Sequence, residues 1–314
     1  MKKVIVFVIL LITVSLFGPI VIIGAKTDKK SEKTTNYSPV KSNCLPEFKV
    51  KMQNGEIEKI SAKDYVFGCL AGEMPINFAD EALKAQAVAA YTFALRKKSL
   101  SKADYDLTAD YHIDQCFLTN EEIKSKWGDN YEKNREKLAN IIESVSGQWL
   151  CYDGKPALTV YHAISCGKTN SSKDVWGTDI PYLKSVDSSY DKTNNGYLST
   201  VELTNDEFIK KFESIEKIKA PITVKNIKTG ESGRVESVQI NGKTVEGSLL
   251  QKTFGLRSSS FQLNVTEKAV IFTVFGYGHG VGMSQVGADY LAKNGSSYKE
   301  ILHHYYSGAV LKTN

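Results

Sequence analysis

The feature that most constrains this chain is an uncharged apolar run near its N-terminus. Residues 4–24 read VIVFVILLITVSLFGPIVIIG and contain no charged side chain over 21 positions. A helix of that length is long enough to cross the hydrocarbon core of a bilayer. Lys2 and Lys3 precede it and favour an inside position for the short N-terminal end. We therefore expect residues 1–3 in the cytoplasm, residues 4–24 as a single transmembrane anchor, and the rest of the chain outside the cytoplasm.

A cleaved signal peptide is the alternative explanation for this run. Signal peptides usually have a shorter apolar core that ends in an A-x-A-like cleavage site. Here the run continues into GAKTDKK, which contains no such site. The pattern favours an uncleaved anchor, and with either explanation the body of the protein is exported.

The formal net charge of +5 is concentrated beside this run. Residues 1–45 hold seven lysines and two acidic residues, so residues 46–314 carry no net charge. Lysines next to a membrane span are attracted to anionic headgroups. Residues 25–45 are also rich in Ser and Thr and poor in apolar side chains, which predicts a flexible linker. We find no basic face for nucleic acid and expect no nucleic-acid partner.

The remaining residues, 46–314, show both helix and strand patterns. FKVKM and EIEKI flank Asn54-Gly55, which predicts a hairpin with a type I′ turn. Ser61 predicts a helix N-terminus, and a second helix is expected from about Asp80, capped by its own side chain, to about Lys98. Further helices are expected at 120–127, 131–145, 284–293 and 297–306, with a hairpin at Asp153-Gly154, a strand over ALTVYHAIS, and mostly strands from 221 to 275 with turns at Thr229-Gly230 and Asn241-Gly242.

No period of 20 to 50 residues repeats in the chain, which excludes a solenoid. Helices and strands do not alternate strictly either. The sequence therefore predicts an α+β protein, in which one mixed domain of helices and antiparallel strands over residues 46–314 follows the N-terminal transmembrane helix.

Glu73 is the first candidate catalytic residue. It lies between Gly72 and Met74-Pro75, in the expected tight turn between two helices. A carboxyl group with little freedom and apolar neighbours has a raised pKa, which suits it to donate a proton at neutral pH. A structural role, in which Glu73 caps the Asp80 helix or pairs with Lys84, is the alternative that the local pattern leaves open.

A second candidate segment is GYGHGVGMSQVG, residues 276–287, in which glycines alternate around His279. Alternate glycines allow the backbone to approach a ligand or another strand closely. The spacing does not fit a dinucleotide-binding loop, and Ser284 does not lie in a nucleophile elbow.

The five cysteines contain no C-x-x-C pair, but two of them share a spacing. His112 precedes Cys116, and His162 precedes Cys166, by four residues each. Together these side chains could supply a tetrahedral zinc site, and Cys116 and Cys166 could instead form a disulfide in an exported protein. Separate core or active-site roles are the third possibility, and the spacing does not decide among them.

Three long blocks resemble the signature blocks of the stage II sporulation protein D family, also described as SpoIID/LytB. They are AGEMP with EALKAQAVAA, YHAISCGKTNSSKDVWG with PYLKSV, and GYGHGVGMSQVGADYLAKNGSSYKEILHHYY. The resemblance covers roughly residues 46–311 in order. It implies a membrane-anchored lytic transglycosylase of endospore formers. Such enzymes act during forespore engulfment on peptidoglycan glycan strands from which a partner amidase has removed the stem peptides.

The resemblance implies that Glu73 is the catalytic acid. A hydrolysing glycosidase usually needs two carboxylates, but no second carboxylate in the signature blocks stands out as strongly. In a lytic transglycosylase the C6 hydroxyl of the sugar attacks C1, so one group can act first as acid and then as base. We expect no cofactor. The residues expected to position sugar or shape the site are Lys84, Gln86, His279, Ser284 and Gln285.

Family membership also implies partners and a location. The expected partners are a sporulation cell-wall amidase and a membrane scaffold of the engulfment complex. The expected location is the mother-cell engulfing membrane, with the catalytic domain facing the septal wall.

The sequence departs from the family pattern at several positions. Tyr91 stands where the family usually has an arginine, and Cys166 replaces the first glycine of a YH-x-x-S-G-G block. Thr108 occupies the place of the first cysteine of a zinc site found in some relatives, so the zinc is not carried over to this chain. Because an arginine could hold substrate or tune the glutamate, Tyr91 favours the alternative function, a non-catalytic amidase enhancer that binds and stimulates a wall amidase.

Overall fold

A computed structural model of the protein describes residues 45–314. The predicted anchor at residues 4–24 and nearly all of the predicted linker lie outside the described residues. Across residues 45–314, the model contains no helix with the length and apolar character that a membrane crossing needs.

Helices and antiparallel sheets both occur in the described chain, which confirms the predicted α+β class. The helices are α1 (Ala62–Glu73), α2 (Asp80–Leu100), α3 (Asn120–Trp127), α4 (Tyr131–Ser144), α5 (Ser172–Trp176), α6 (Asn205–Phe212), α7 (Gly247–Phe254), α8 (Gln285–Lys293) and α9 (Tyr298–Tyr305). The strands are β1 (Glu47–Lys51), β2 (Ile57–Ser61), β3 (Leu107–Thr108), β4 (Gln148–Tyr152), β5 (Lys155–Pro156), β6 (Tyr161–His162), β7 (Leu198–Thr204), β8 (Val224–Thr229), β9 (Val235–Ile240), β10 (Lys243–Glu246), β11 (Phe261–Val265), β12 (Ala269–Phe275), β13 (Met283–Ser284) and β14 (Val310–Thr313).

The predicted N-terminal hairpin forms, but its turn is not type I′. Strands β1 and β2 pair antiparallel, and the connecting loop closes with a hydrogen bond from Met52 N to Glu56 O of 2.7 Å. A type I′ turn requires positive φ at both central residues. Only Gly55 has it (+90°), because the side chain of Asn54 accepts a hydrogen bond from Glu56 N at 3.0 Å and forms an Asx turn. The predicted turns at Asp153-Gly154 and Asn241-Gly242 do have positive φ at both positions.

Helix α1 begins where the sequence predicts and ends later. Ser61 caps it by accepting a hydrogen bond from Asp64 N at 3.1 Å. Helical bonding continues past Gly72, since Met74 N donates to Leu70 O at 3.1 Å. Met74 is then extended, as a residue before proline prefers. Glu73 is therefore the last residue of a helix and does not lie in the turn after it, where the sequence analysis placed it.

The prediction that Asp80 caps helix α2 is wrong. The N-cap residue is Ala79, whose backbone N–H donates to Asp289 Oδ1 of α8 at 2.8 Å. The Asp80 carboxylate instead forms an ion pair with Lys137 of α4 at 3.1 Å. The partner of the helix N-terminus comes from a distant part of the chain, so a local pattern could not identify it.

Two strand pairs in the described chain are parallel, against the expectation of antiparallel strands: β1 with β3, and β6 with β13. The second pair aligns Tyr161 with Met283 and His162 with Ser284. Of the predicted strand ALTVYHAIS, only Tyr161–His162 is regular strand.

Helix α7 interrupts the predicted run of strands from 221 to 275. Leu250 and Phe254, four residues apart, bury one helical face.

The buried apolar side chains of the described chain collect in two clusters. The first contains side chains from α1, α2, α8 and α9, and the second lies among β7, β9, β12, α6 and α7. Ser232 Oγ, next to the strands of the second cluster, donates to Asn170 Oδ1 in the segment beside the first. That residues 46–314 are one domain stays a prediction; Glu73 lies at the end of a helix that belongs to the first cluster.

Candidate active site

The position of Glu73 depends on two glycines one helical turn apart in α1. A Cβ atom on Gly68 would lie 2.7 Å from Leu118 O, and one on Gly72 would lie 2.7 Å from Cys116 Sγ. Because neither glycine has a side chain, the segment from Cys116 to Leu118 lies directly against the helix. As a result Cys116 N donates a hydrogen bond of 2.8 Å to Glu73 Oε1.

The surroundings of Glu73 favour its protonated form. Burial raises the pKa of Glu73 to about 7, from a usual value of 4.5, and this is the largest effect on the group. The Cys116 N–H, the Tyr161 hydroxyl, the Gln285 amide and the Lys126 charge act in the opposite direction. The groups that act on Glu73, the Cys116 N–H, Tyr161, Gln285 and Lys126, include no second carboxylate. At neutral pH both forms of Glu73 are populated, which suits a group that must give and take a proton.

The parallel pair of β6 and β13 brings Tyr161 and Gln285 to this carboxyl. Tyr161 is the first residue of β6, and its hydroxyl donates to Gln115 Oε1 at 3.0 Å while facing Glu73. Gln115 Nε2 is held in turn by Tyr65 Oη at 3.2 Å. Gln285 directly follows β13 and is buried, and its amide faces the Glu73 carboxyl. Its Nε2 makes no hydrogen bond of regular geometry within the described chain, so this donor is available to a ligand beside the acid.

His279 lies in a group of rings in which His162 is buried and His279 and Trp176 are half-buried. Its ring centroid is 5.9 Å from that of His162 and 5.6 Å from that of Trp176. Burial lowers the pKa of His279 to about 4 and that of His162 to about 3, so both are neutral at pH 7. Val281 N donates to His279 Nδ1 at 3.0 Å, which leaves the proton of the neutral ring on Nε2.

The other three predicted sugar-positioning residues have internal roles or no contact with Glu73. Ser284 is fully buried, and its Oγ donates to Asp191 Oδ2 at 2.7 Å and accepts from Gly287 N at 3.1 Å, so it caps helix α8. Lys84 pairs with Glu81 at 2.6 Å, not with Glu73. Gln86 is fully buried, and neither atom of its amide has a hydrogen-bond partner in residues 45–314. Their predicted roles toward sugar stay predictions.

Tyr91 stands where the family usually has an arginine. Its contacts are different from those of Glu73. Its ring packs edge-on against Phe48 with centroids 6.3 Å apart, and its hydroxyl accepts a hydrogen bond from Asn314 Nδ2 at 3.1 Å. It lines a small apolar cavity with Ala62 and Val66, at the opposite end of α1 from Glu73. The departure at this position therefore alters the packing of the first cluster, not the surroundings of the carboxyl.

Cys116 and Cys166 lie in different places, so neither the zinc site shared by both His-Cys pairs nor the disulfide forms. Cys116 lies against Gly72 of α1, whereas Cys166 lies beside Gly233 near the second cluster, and both are free thiols. Within the described residues, no three His, Cys, Asp or Glu side chains gather as metal ligands would. Burial, with the nearby Glu73 charge, raises the pKa of Cys116 to about 12.

Three contributors to the site were not predicted from the sequence: the Cys116 N–H, the Tyr161 hydroxyl and Lys126. The signal for the first was present in the glycine pair, Gly68 and Gly72, which marks a close backbone approach. No local signal marks Tyr161 or Lys126, because each reaches Glu73 only through the fold. In the assembled site, the partly buried Glu73 carboxyl can donate a proton to an oxygen atom of a bound molecule. The resulting carboxylate can then accept a proton.

Comparison with known proteins agrees with the signature blocks. The family model described as "Stage II sporulation protein" (SpoIID) matches residues 51–152. Stage II sporulation protein D of Bacillus amyloliquefaciens is 36% identical over 285 residues, which cover 89% of this chain and 81% of that protein. The protein of the same name from Bacillus subtilis (strain 168) is 35% identical over 292 residues, with 91% and 83% covered.

A more distant relative carries a different name. The amidase enhancer of Bacillus subtilis (strain 168) is 28% identical over 297 residues, which cover 78% of this chain and 40% of that protein. The two sporulation proteins match at higher identity and over most of their own length. The chain therefore belongs to the stage II sporulation protein D family.

Proposed function

We propose that the protein is a peptidoglycan lytic transglycosylase that cleaves denuded glycan strands and leaves 1,6-anhydro ends. The observation that carries the proposal is the state of Glu73. It is a partly buried carboxyl with a pKa of about 7, and no second carboxylate is among the main influences on it. A hydrolase of the usual kind needs a second carboxylate for the nucleophile or base. One proton carrier is enough for an intramolecular transfer.

In the proposed reaction Glu73 acts twice. Its acid form gives a proton to the glycosidic oxygen as the bond from that oxygen to C1 breaks. The C6 hydroxyl of the same sugar then bonds to C1 and gives its proton to the Glu73 carboxylate, which restores the acid. The proton balance closes without water, and the product carries a 1,6-anhydro ring.

The groups around Glu73 support the binding of a sugar. The buried Gln285 amide faces Glu73, and its Nε2 makes no hydrogen bond of regular geometry within the described chain, which leaves it available to a sugar oxygen. His279 and Trp176 provide half-buried rings against which the apolar face of a sugar can pack. The half-buried His279 ring is neutral at pH 7, so it can contribute a hydrogen bond and contact area without charge.

The cellular setting belongs to the same proposal. We place the protein in the mother-cell membrane, anchored through residues 4–24, with residues 46–314 facing the septal wall during engulfment. Its expected partners are the sporulation amidase that strips the strands and a membrane scaffold. The names of the relatives support sporulation, and the apolar run supports the anchor.

A non-catalytic amidase enhancer is the second candidate function. The observation that favours it is the 28% identity to a protein named amidase enhancer. The raised pKa of Glu73 is the argument against it. Binding and stimulating an amidase does not require a carboxyl that is half protonated at neutral pH.

The experiment is incubation of denuded glycan strands with the full-length protein in mild detergent. Mass spectrometry should detect ends that are one water lighter than hydrolysis products, from the wild type and from Glu58→Gln, an exposed control in β2. Glu73→Gln should give none. Intact strands together with faster cleavage by a wall amidase would establish the enhancer. Hydrated reducing ends would establish a hydrolytic muramidase.

A further inference from the structure

Lys126 of helix α3 reaches across to the end of helix α1 that carries Glu73. Its Nζ donates a hydrogen bond of 2.5 Å to Ala71 O and one of 3.4 Å to Gly72 O. These are carbonyls of the last helical turn, immediately before Glu73, and such carbonyls carry partial negative charge. Lys126 therefore ties the segment that holds the candidate acid to a second helix.

The ammonium group of Lys126 is the charge that acts most strongly on Glu73 among the described residues. The titratable groups facing the carboxyl are Cys69 of α1, Cys116 of the following loop and Tyr161 of β6, and burial raises the pKa of all three. Gln285 of α8 is uncharged. Lys126 is thus the source of positive charge beside a group that becomes negative when it gives up its proton.

Lys126 is not neutralised by a carboxylate nearby. Among the ion pairs of residues 45–314, none includes Lys126. Glu122 of the same helix faces Cys116, but its carboxylate accepts hydrogen bonds from Thr119 N at 2.8 Å and Thr119 Oγ1 at 3.0 Å at the start of α3. A partly buried cation without an ion-pair partner is costly, and the charge of Glu73 favours the protonated form of Lys126, which argues for a role beyond packing.

We propose that Lys126 is a positioning residue for Glu73, which fixes the last turn of α1 and stabilises the carboxylate that forms after Glu73 has protonated the leaving oxygen. The inference rests on the proposed function for its chemical meaning. Lys126 makes no bond to the sugar in this proposal. Its charge keeps the carboxylate available long enough to take the proton of the C6 hydroxyl.

Lys137 of helix α4 provides a matched control within the same chain. Its Nζ donates to two backbone carbonyls of the segment after Glu73, Ile76 O at 2.9 Å and Phe78 O at 3.3 Å. Its charge, however, is paired with Asp80 at 3.1 Å, and Lys137 is not among the five largest influences on Glu73. Lys137 therefore anchors backbone as Lys126 does, without a free charge at the site.

The test compares Lys126→Gln, Lys126→Met, Lys126→Arg and Lys137→Gln in the full-length protein. A ¹³C NMR titration follows the side-chain carboxyls, and the Glu73 signal is the one absent from Glu73→Gln. Removal of the positive charge should raise the Glu73 midpoint by about one pH unit in both neutral Lys126 variants. Lys126→Arg and Lys137→Gln should retain the wild-type midpoint. In strand cleavage, the alkaline limb of the pH profile should move with the midpoint.

An unchanged midpoint in Lys126→Gln and Lys126→Met would overturn the inference, and so would an equal shift in Lys137→Gln. Lys126→Met keeps the apolar stem of the side chain and gives a second neutral variant if the glutamine variant does not fold. The midpoint is measured without substrate. A wild-type protein that leaves glycan strands intact would therefore defeat the proposed function while the titration still decides the role of Lys126.

Discussion

The carboxyl of Glu73 binds its proton more tightly in the folded protein than in the unfolded chain. Its pKa rises from 4.5 to about 7 on folding because burial outweighs the favourable contacts. The stability that this preference gives is complete below pH 4.5 and is lost as the pH rises toward 7. The residue proposed to do the chemistry therefore weakens the fold at neutral pH, as is common for groups at active sites.

Glu73→Gln should make the protein more stable at pH 8 and leave it unchanged at pH 4. Glutamine keeps an acceptor for the Cys116 N–H and removes the buried charge. The gain should be about 2 kcal/mol, less than the full pKa difference implies, because the side chain is partly exposed. Thermal unfolding at the two pH values measures it, as a rise in Tm of about 4 °C at pH 8. Glu58→Gln is the control, and an equal rise in Tm for that variant would refute the explanation.

Tyr161→Phe should change the pH profile and the rate of strand cleavage and should leave the protein folded. The hydroxyl favours the charged form of Glu73, and its one proton is donated either to Gln115 Oε1 or, when Glu73 is ionised, to the carboxylate. Its loss should raise the pKa of Glu73, move the alkaline limb of the cleavage profile upward, and lower kcat about tenfold, in proportion to one hydrogen bond to a charged group. The profile of Tyr152→Phe, a tyrosine packed on Tyr182, should match the wild type. A wild-type profile for Tyr161→Phe would contradict the assignment.

At the scale of single residues the sequence identified Glu73 but not its partners. Gly72 before it and Pro75 two residues after it restrict the local backbone. The family resemblance implies its role as catalytic acid. Tyr161 and the Cys116 N–H reach it through the fold, and no pattern in the sequence around them carries that information. Ser284 stands in a signature block, yet its hydroxyl is used inside the protein on Asp191.

At the scale of elements, the glycine face of α1 is the feature that builds the site. Gly68 and Gly72 lie one turn apart and admit the segment from Cys116 to Leu118. Alanine is the better helix former, by about 1 kcal/mol, so both glycines reduce the intrinsic stability of the helix. The contact between this segment and the helix, which the glycines make possible, offsets that cost.

Gly72→Ala should lower stability by about 1 to 2 kcal/mol, since the new Cβ would lie 2.7 Å from Cys116 Sγ. The displaced segment should also withdraw the Cys116 N–H from Glu73. Adding Cys116→Ala removes the sulfur atom and should restore most of the stability. Chemical denaturation of the four proteins in this cycle gives the interaction energy. Additive effects of the two substitutions would show that the contact is not the cause.

Long amphipathic helices were predictable at this scale, and short or non-local elements were not. The stripe from Leu83 to Ala94 predicts α2 because one face is buried over several turns. Strands β6 and β13 have two residues each and lie far apart in the chain, so neither has a period to detect. Helix α7 was not predicted. It has only eight residues and directly follows strands, so it looks like a continuation of the run of strands.

At the scale of the whole molecule, the distribution of charge sets how the body meets its substrate. Residues 46–314 carry no net charge, so long-range attraction contributes little to binding of a glycan strand. Recognition then depends on contact within the site. The excess lysines lie in residues 1–45, beside the predicted membrane span.

The Michaelis constant for denuded strands should therefore change less than about twofold between 50 and 300 mM salt, where a protein that neutralises several anionic groups of its ligand loses affinity by orders of magnitude. Initial rates at a series of strand concentrations measure it. A tenfold rise would show that charge on the strand is recognised over a distance. Lys26→Gln, which alters only the membrane flank, should give the same constant at both salt concentrations.

The parallel pair of β6 with β13 joins segments that are made at very different times. A ribosome completes Glu73 early, yet β6 has no partner strand, and the carboxyl has no Gln285 beside it, until the chain is almost finished. An incomplete or C-terminally shortened chain therefore carries the acid without Gln285 beside it. The protein is proposed to cleave the wall of its own cell. Because synthesis starts at the N-terminus, its candidate active site is assembled only when the chain is almost complete.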